Sequence, residues 1–101
     1  MAQFIKAARR GDIPEGSGKM IEAGGRTIAL FLADGQFYAI DNACKHRGGP
    51  LGEGEVYGTR VVCPWHGWEY DFATGCNVDD PSMKLACFAV KVEGDDILIE
   101  I

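Results

Sequence analysis

The chain has 101 residues, of which 47% are hydrophobic and 25% charged, and its formal net charge is −5. This composition and length predict one globular domain over residues 1–101 with a modest hydrophobic core. The acidic excess argues against a nucleic-acid partner, which would need a basic face. No window approaches the roughly 18 consecutive apolar residues of a membrane span, and the first residues lack a signal-peptide pattern. We therefore expect a soluble, cytoplasmic protein with no membrane partner.

Short strand patterns alternate with turns along the chain. Strands are predicted over residues 4–8, 19–22, 26–32, 36–40, 60–62, 88–93 and 97–101. Asp34-Gly35 predicts a two-residue hairpin turn because both positions tolerate positive φ, and residues 94–96 predict a further hairpin turn. No long helical period is present, so the expected fold is all-β, a small antiparallel β-sandwich or barrel.

The middle of the chain, about residues 42–81, differs from the rest in composition. Glycines, prolines, both tryptophans and the histidines collect there. We interpret this segment as a two-loop lobe inserted between the strands of a base domain, which the remainder of the chain forms.

Two short motifs in this segment form a candidate metal site. Cys44 and His46 make a Cys-x-His motif, sixteen residues separate it from the next, and Cys63 and His66 make Cys-x-x-His. Thiolates are the usual ligands of iron–sulfur clusters, and replacing two of four by histidines on one iron defines the Rieske 2Fe–2S centre. Structural zinc also takes two cysteines and two histidines, although it usually pairs like ligands closely, so it remains an alternative.

Both motifs, in this order and at this spacing, resemble the Rieske iron–sulfur domain family. The resemblance implies one 2Fe–2S cluster with four ligands, Cys44 and Cys63 on the inner iron and His46 and His66 on the outer iron. It also implies one-electron transfer as the function.

The residues beside the motifs distinguish branches of that family. In the respiratory branch of the family, the positions of Gly49 and Trp65 are occupied by two cysteines that form a disulfide. That disulfide is excluded here. Trp68 replaces a serine that would hydrogen-bond the cluster, which predicts a potential toward the low end of roughly −150 to +300 mV. The amino-acid sequence of the two motif loops is most similar to that of the Rieske lobes of ring-hydroxylating oxygenases. Since the chain has no histidine besides His46 and His66, it lacks the histidines of a mononuclear iron triad.

The predicted function is therefore a carrier that is not catalytic alone. It would pass electrons from an NAD(P)H-dependent flavoprotein reductase to a terminal oxygenase, with transient docking near His46 and His66. Lys45 and Arg47 flank His46 and suggest a positive collar for an acidic partner. The alternatives are the small Rieske subunit of an NAD(P)H nitrite reductase and a structural zinc-binding interaction module.

Other residues near the motifs carry weaker predictions. The expected cover of the cluster consists of Leu51, Trp65, Trp68 and Pro81. Cys87 is expected to be a buried small hydrophobic residue, and Cys76 to lie on an exposed turn. A disulfide between them is disfavoured in a reducing compartment.

Overall fold

The computed structural model describes residues 3–43, 49–65 and 67–101. In these ranges the strands are β1 (Phe4–Arg9), β2 (Ser17–Ala23), β3 (Arg26–Ala33), β4 (Gln36–Asp41), β5 (Glu55–Tyr57), β6 (Arg60–Val62), β7 (Glu69–Asp71), β8 (Cys87–Phe88), β9 (Val90–Glu93) and β10 (Asp96–Glu100). Two short 3₁₀ turns cover Arg10–Asp12 and Leu51–Glu53. No helix in these ranges is long and apolar enough to cross a membrane.

The strands form three antiparallel sheets. Their orders are β1-β10-β9, β2-β3-β4-β8 and β5-β6-β7. In the first sheet the two ends of the described chain pair, with Phe4 opposite Glu100. This arrangement confirms the all-β, antiparallel prediction.

The turn between β3 and β4 has the conformation that its sequence predicts. Asp34 and Gly35 adopt φ values of 51° and 76°, as a two-residue hairpin turn requires. The carboxylate of Glu15 accepts the N–H groups of both residues, at 2.8 and 2.9 Å. Turn chemistry and a distant side chain thus fix the same hairpin.

Strand β3 lies in the middle layer of the fold. Ile28 and Leu30 pack into a core shared with β1 and β10, whereas Ala29, Phe31 and Ala33 pack into a second core on the other face. Because both faces are covered, the central residues of β3 form a continuous apolar run instead of alternating with polar ones.

The second core joins the middle sheet to the β5-β6-β7 sheet. Its buried members are Ala29, Phe31, Ala33, Ile40, Leu51, Val61, Cys63, Tyr70, Phe72 and Leu85. The rings of Phe31 and Phe72 stack with their centroids 4.4 Å apart and their planes at 7°. A predicted metal ligand, Cys63, is therefore part of the packed interior.

The last hairpin is shorter than the sequence predicts. The predicted strand over residues 88–93 is divided: Phe88 belongs to β8 and pairs with Ala39 of β4, while β9 pairs with β10. Asp96 lies in β10, so the turn consists of Gly94 and Asp95. The prediction was wrong here because β8 completes the middle sheet, a long-range pairing that the local pattern does not report.

Candidate metal centre

The chain segment with the first predicted ligand pair, Cys44 and His46, is called the first ligand loop. Asn42 closes this loop at its base. The N–H of Leu51 donates to the backbone oxygen of Asn42 at 2.9 Å, and the N–H of Gly52 donates to its Oδ1 at 2.8 Å. The predicted ligands Cys44 and His46 fall between these anchors and lie outside the described residues. Sequence reasoning missed Asn42, although an asparagine directly after a strand commonly bonds to nearby backbone.

The return of this loop rests on the base sheet. A Cβ at Gly52 would lie 2.5 Å from the backbone nitrogen of Met20 on β2, so the backbones approach too closely for a side chain. Leu51 beside it is fully buried. The first loop is thus fixed on both sides of its predicted ligands.

The second ligand loop is a tight turn that follows β6. Cys63 is 3% exposed, and its N–H donates to the oxygen of Trp68 at 2.7 Å. The N–H of Gly67 donates to the oxygen of Cys63 at 3.0 Å, and its φ of 76° suits glycine. Cys63 is the one predicted ligand that the described residues include, since His66 lies outside them.

The two loops meet at Gly49. A Cβ there would lie 2.5 Å from the Sγ of Cys63 and 3.3 Å from the Cγ and Cδ2 of Trp65. The first loop therefore passes directly against the sulfur of the second, where only glycine fits. Beside Cys63 a surface cavity of about 440 Å³ is lined by Glu53, Glu55, Val62, Pro64 and Gly67.

This geometry fits an iron–sulfur centre at Cys63. The thiol of Cys63 is free, and glycine at position 49 allows the first ligand loop to approach its sulfur closely. Both backbone groups of Cys63 are hydrogen-bonded within the turn, so the backbone that carries the thiol is held in a defined position.

The predicted cover residues have different environments. Leu51 is buried, and Trp68 packs partly buried against the core that contains Cys63. Trp65 is 57% exposed, and Pro81 is exposed. The indole of Trp68 thus belongs to the packing beneath the site, whereas that of Trp65 lies at the surface.

The loop that carries Pro81 is shaped by Asn77. This side chain is 5% exposed, and its Oδ1 accepts the N–H groups of Asp79 and Asp80 at 2.9 and 3.0 Å. With Trp68, these residues line a cavity of about 300 Å³. The loop is therefore placed beside the second ligand loop.

The outer face of the β5-β6-β7 sheet is acidic and carries an exposed tyrosine. The register puts Glu55 in line with Glu69, and Tyr57 in line with Arg60 and Asp71. The hydroxyl of Tyr57 donates to Glu55. That bond and the negative charge of Glu55 raise the pKa of Tyr57. The predicted basic collar, Lys45 and Arg47, lies outside the described residues.

The two remaining cysteines differ from their predictions. Both are free thiols. Cys87 is exposed instead of buried, and Cys76 is half-buried in a β-bridge opposite Lys84 instead of lying on an exposed turn. The Sγ of Cys87 turns toward the oxygen of Leu85, 3.9 Å away. Desolvation of that thiol, more than any charge, raises the pKa of Cys87.

The chain that contains this site is similar to known proteins along most of its length. Residues 3–89 match the Rieske [2Fe-2S] domain family. The ferredoxin component of the naphthalene 1,2-dioxygenase/salicylate 5-hydroxylase systems of Ralstonia sp. is 32% identical over 97% of this chain and 95% of its own. A 3-phenylpropionate/cinnamic acid dioxygenase ferredoxin subunit from Shigella flexneri is 35% identical over 96% of this chain and 92% of its own.

Solved structures agree on the fold. A ferredoxin in complex with the oxygenase of carbazole 1,9a-dioxygenase has a TM-score of 0.85 at 26% identity, covering 95% of this chain and 91% of the other. A Mycobacterium tuberculosis structure described as an NADH-dependent nitrite reductase small subunit has a TM-score of 0.90 at 21% identity, covering 100% and 96%. At that identity the second likeness shows the fold alone.

Proposed function

Because the chain belongs to the Rieske [2Fe-2S] domain family, we propose that this electron carrier passes single electrons from an NAD(P)H-dependent flavoprotein reductase to a terminal oxygenase. It carries a Rieske 2Fe–2S cluster and is not a catalyst in its own right. The observation that carries the proposal is the match to dioxygenase ferredoxins along nearly the whole chain. The approach of Gly49 to the Sγ of Cys63, which brings the two ligand loops together, supports the cluster site.

The proposed ligands are Cys44 and Cys63 for one iron, and His46 and His66 for the other. When bound, the cluster accepts and releases one electron. Cys63 supplies a thiolate from within the hydrophobic core, which excludes water from the inner side of the site. Asn42 fixes the base of the first loop by accepting the N–H of Gly52.

We propose one Rieske domain over residues 1–101, with a cluster-binding lobe of about residues 42–81. The separate β5-β6-β7 sheet supports this division, as do the bonds of Asn42 at the start of the lobe.

The proposed partners dock transiently on the ligand loops. The dioxygenase ferredoxin relatives, which match along nearly their whole length, support a terminal oxygenase as acceptor and a reductase as donor. The exposed Trp65 of the second ligand loop supplies apolar contact area. We expect an interface on the scale of weak redox encounters, below about 1,200 Å².

The nitrite reductase small subunit remains the alternative, supported by fold likeness. The family match replaces the structural zinc alternative with an iron–sulfur centre. We also propose a cytoplasmic setting, whose reducing conditions would keep the thiols of Cys76 and Cys87 free.

The ligand assignment can be tested with the chain's own cysteines as controls. Cys44→Ser and Cys63→Ser should abolish the visible absorption and the electron paramagnetic resonance signal of the reduced protein. Cys76→Ser and Cys87→Ser should retain both, with two irons and two sulfides per chain. Loss of the cluster in a control variant, or its retention without Cys63, would contradict the assignment.

The partner assignment requires an electron-transfer measurement. Reduced protein is mixed in a stopped-flow instrument with an oxidised terminal oxygenase of the naphthalene type, or with a nitrite reductase large subunit. Faster oxidation by the oxygenase supports the proposed function. Faster oxidation by the nitrite reductase large subunit supports the alternative function as a nitrite reductase small subunit.

A further inference from the structure

Gly49 lies against two groups of the second ligand loop. A Cβ built there would stand 2.5 Å from the Sγ of Cys63 and 3.3 Å from the Cγ and Cδ2 of the Trp65 indole. A residue of the first loop therefore lies close to both a sulfur and a ring of the second.

The position of Trp65 is unusual for so large an apolar side chain. It is 57% exposed, so burial in the core does not explain its placement, and large apolar side chains are more often buried. Its contacting atoms, Cγ and Cδ2, belong to the part of the indole nearest the backbone. The ring thus covers Gly49 while its remainder faces solvent.

No covalent bond can join the loops at this point, since neither Gly49 nor Trp65 is a cysteine. The indole of Trp65 then supplies a packing contact at Gly49, in addition to the hydrogen bonds that Asn42 makes at the base of the loop. Contacts of this kind are individually weak and add up over the face of a ring.

We propose that Trp65 is a positioning residue that holds the first ligand loop against Cys63 by packing its indole on Gly49. This inference rests on the proposed function, because the loops it positions are those of the proposed cluster. It adds that retention of the cluster, and protection of the Cys63 sulfur from water, depend on an exposed side chain that is not a ligand.

The test compares iron release from the loaded protein to a chelator, followed by the loss of visible absorption. Trp65→Ala should release iron about 10-fold faster, which corresponds to about 1.4 kcal/mol. Trp65→Phe retains a flat ring and should stay within about twofold of the original chain. Tyr57→Ala is the matched control, because Tyr57 is 58% exposed and lies on β5 of the neighbouring sheet.

Two further measurements separate positioning from general stability. The urea midpoint of the apoprotein should be the same in Trp65→Ala and the original chain. The reduction potential of Trp65→Ala should shift to more positive values, because entering water stabilises the negative charge added on reduction. Unchanged iron release in Trp65→Ala, or equal acceleration in Tyr57→Ala, would overturn the proposal.

A measurement on the apoprotein keeps this test independent of the proposed function. Trp65→Ala should increase the alkylation rate of Cys63, measured by peptide mass spectrometry, while that of Cys76 stays constant. If the original chain bound no cluster but Cys63 became more reactive, the proposed function would fail and the packing role would stand. If the cluster formed but neither iron release nor alkylation changed, the packing role alone would fail.

Discussion

Replacing Asn42 by alanine removes the acceptor of one buried hydrogen bond, the 2.8 Å bond from the N–H of Gly52. Asn42 is 6% exposed, so water cannot readily replace the lost oxygen. A buried N–H without a partner costs about 1–3 kcal/mol. A domain of this size has about 5–15 kcal/mol of total stability, so a loss near 2 kcal/mol should lower the Tm by about 10 °C.

The assay is urea unfolding of the apoprotein followed by tryptophan fluorescence, with thermal unfolding as a second measurement. Asp41→Ala is the control, because the Oδ1 of Asp41 also accepts a backbone N–H, that of Ala43 at 3.0 Å, but in an exposed position. Water should replace that bond, so we expect a loss below about 0.5 kcal/mol. Equal losses in the two variants would refute the reasoning that burial gives the Asn42 bond its importance.

Three other outcomes follow from the described contacts. Gly52→Ala should lower the free energy of unfolding by about 1–3 kcal/mol, because its methyl group would overlap the backbone of β2; Gly11→Ala, with nothing within 4 Å of its Cβ, is the control and should change by less than about 0.5 kcal/mol. Tyr57 should ionise above the ordinary pKa of about 10 in an ultraviolet absorbance titration, and Glu55→Gln should lower this pKa toward that value, since Glu55 is the main cause of the raised pKa. Because the folded pKa is raised, the stability linked to Tyr57 is present at neutral pH and lost as pH rises through that pKa; an unchanged midpoint in Glu55→Gln would contradict this cause. The raised pKa of Cys87 predicts slow alkylation at pH 7 that accelerates above its ordinary pKa of about 8.5, and a rate at pH 7 equal to that of a free cysteine would disagree.

Local sequence signals predicted the elements that local chemistry controls. Asp34 and Gly35 fix their hairpin through positive φ, and the apolar run in β3 reports burial on both faces. The pairing of Phe88 with Ala39 was not predictable from these signals, because it depends on an edge of β4 some fifty residues earlier in the chain.

The candidate site likewise contains a residue that the sequence predicted and contacts that it did not predict. Cys63 was predicted as a ligand from its motif, and the structure adds its burial in the core. The bond from Gly52 to Asn42 and the approach of Gly49 to Trp65 join separate segments of the chain. The amino-acid types at these positions do not by themselves predict such contacts. The exposure of Cys87 was missed because its apolar neighbours suggest a core strand, whereas β8 contains two residues and ends at Phe88.

The core that contains Cys63 also has a consequence for cooperativity. Among the described residues, no strand of the β5-β6-β7 sheet is hydrogen-bonded to a strand of the middle sheet, so side-chain packing such as that of Phe31 on Phe72 forms much of the join. Packing contacts loosen without the breaking of a backbone ladder, and the two sheets can then open as separate units in hydrogen exchange. A metal centre anchored at Cys63 would tie these units together, so that loading the cofactor would make their opening less frequent.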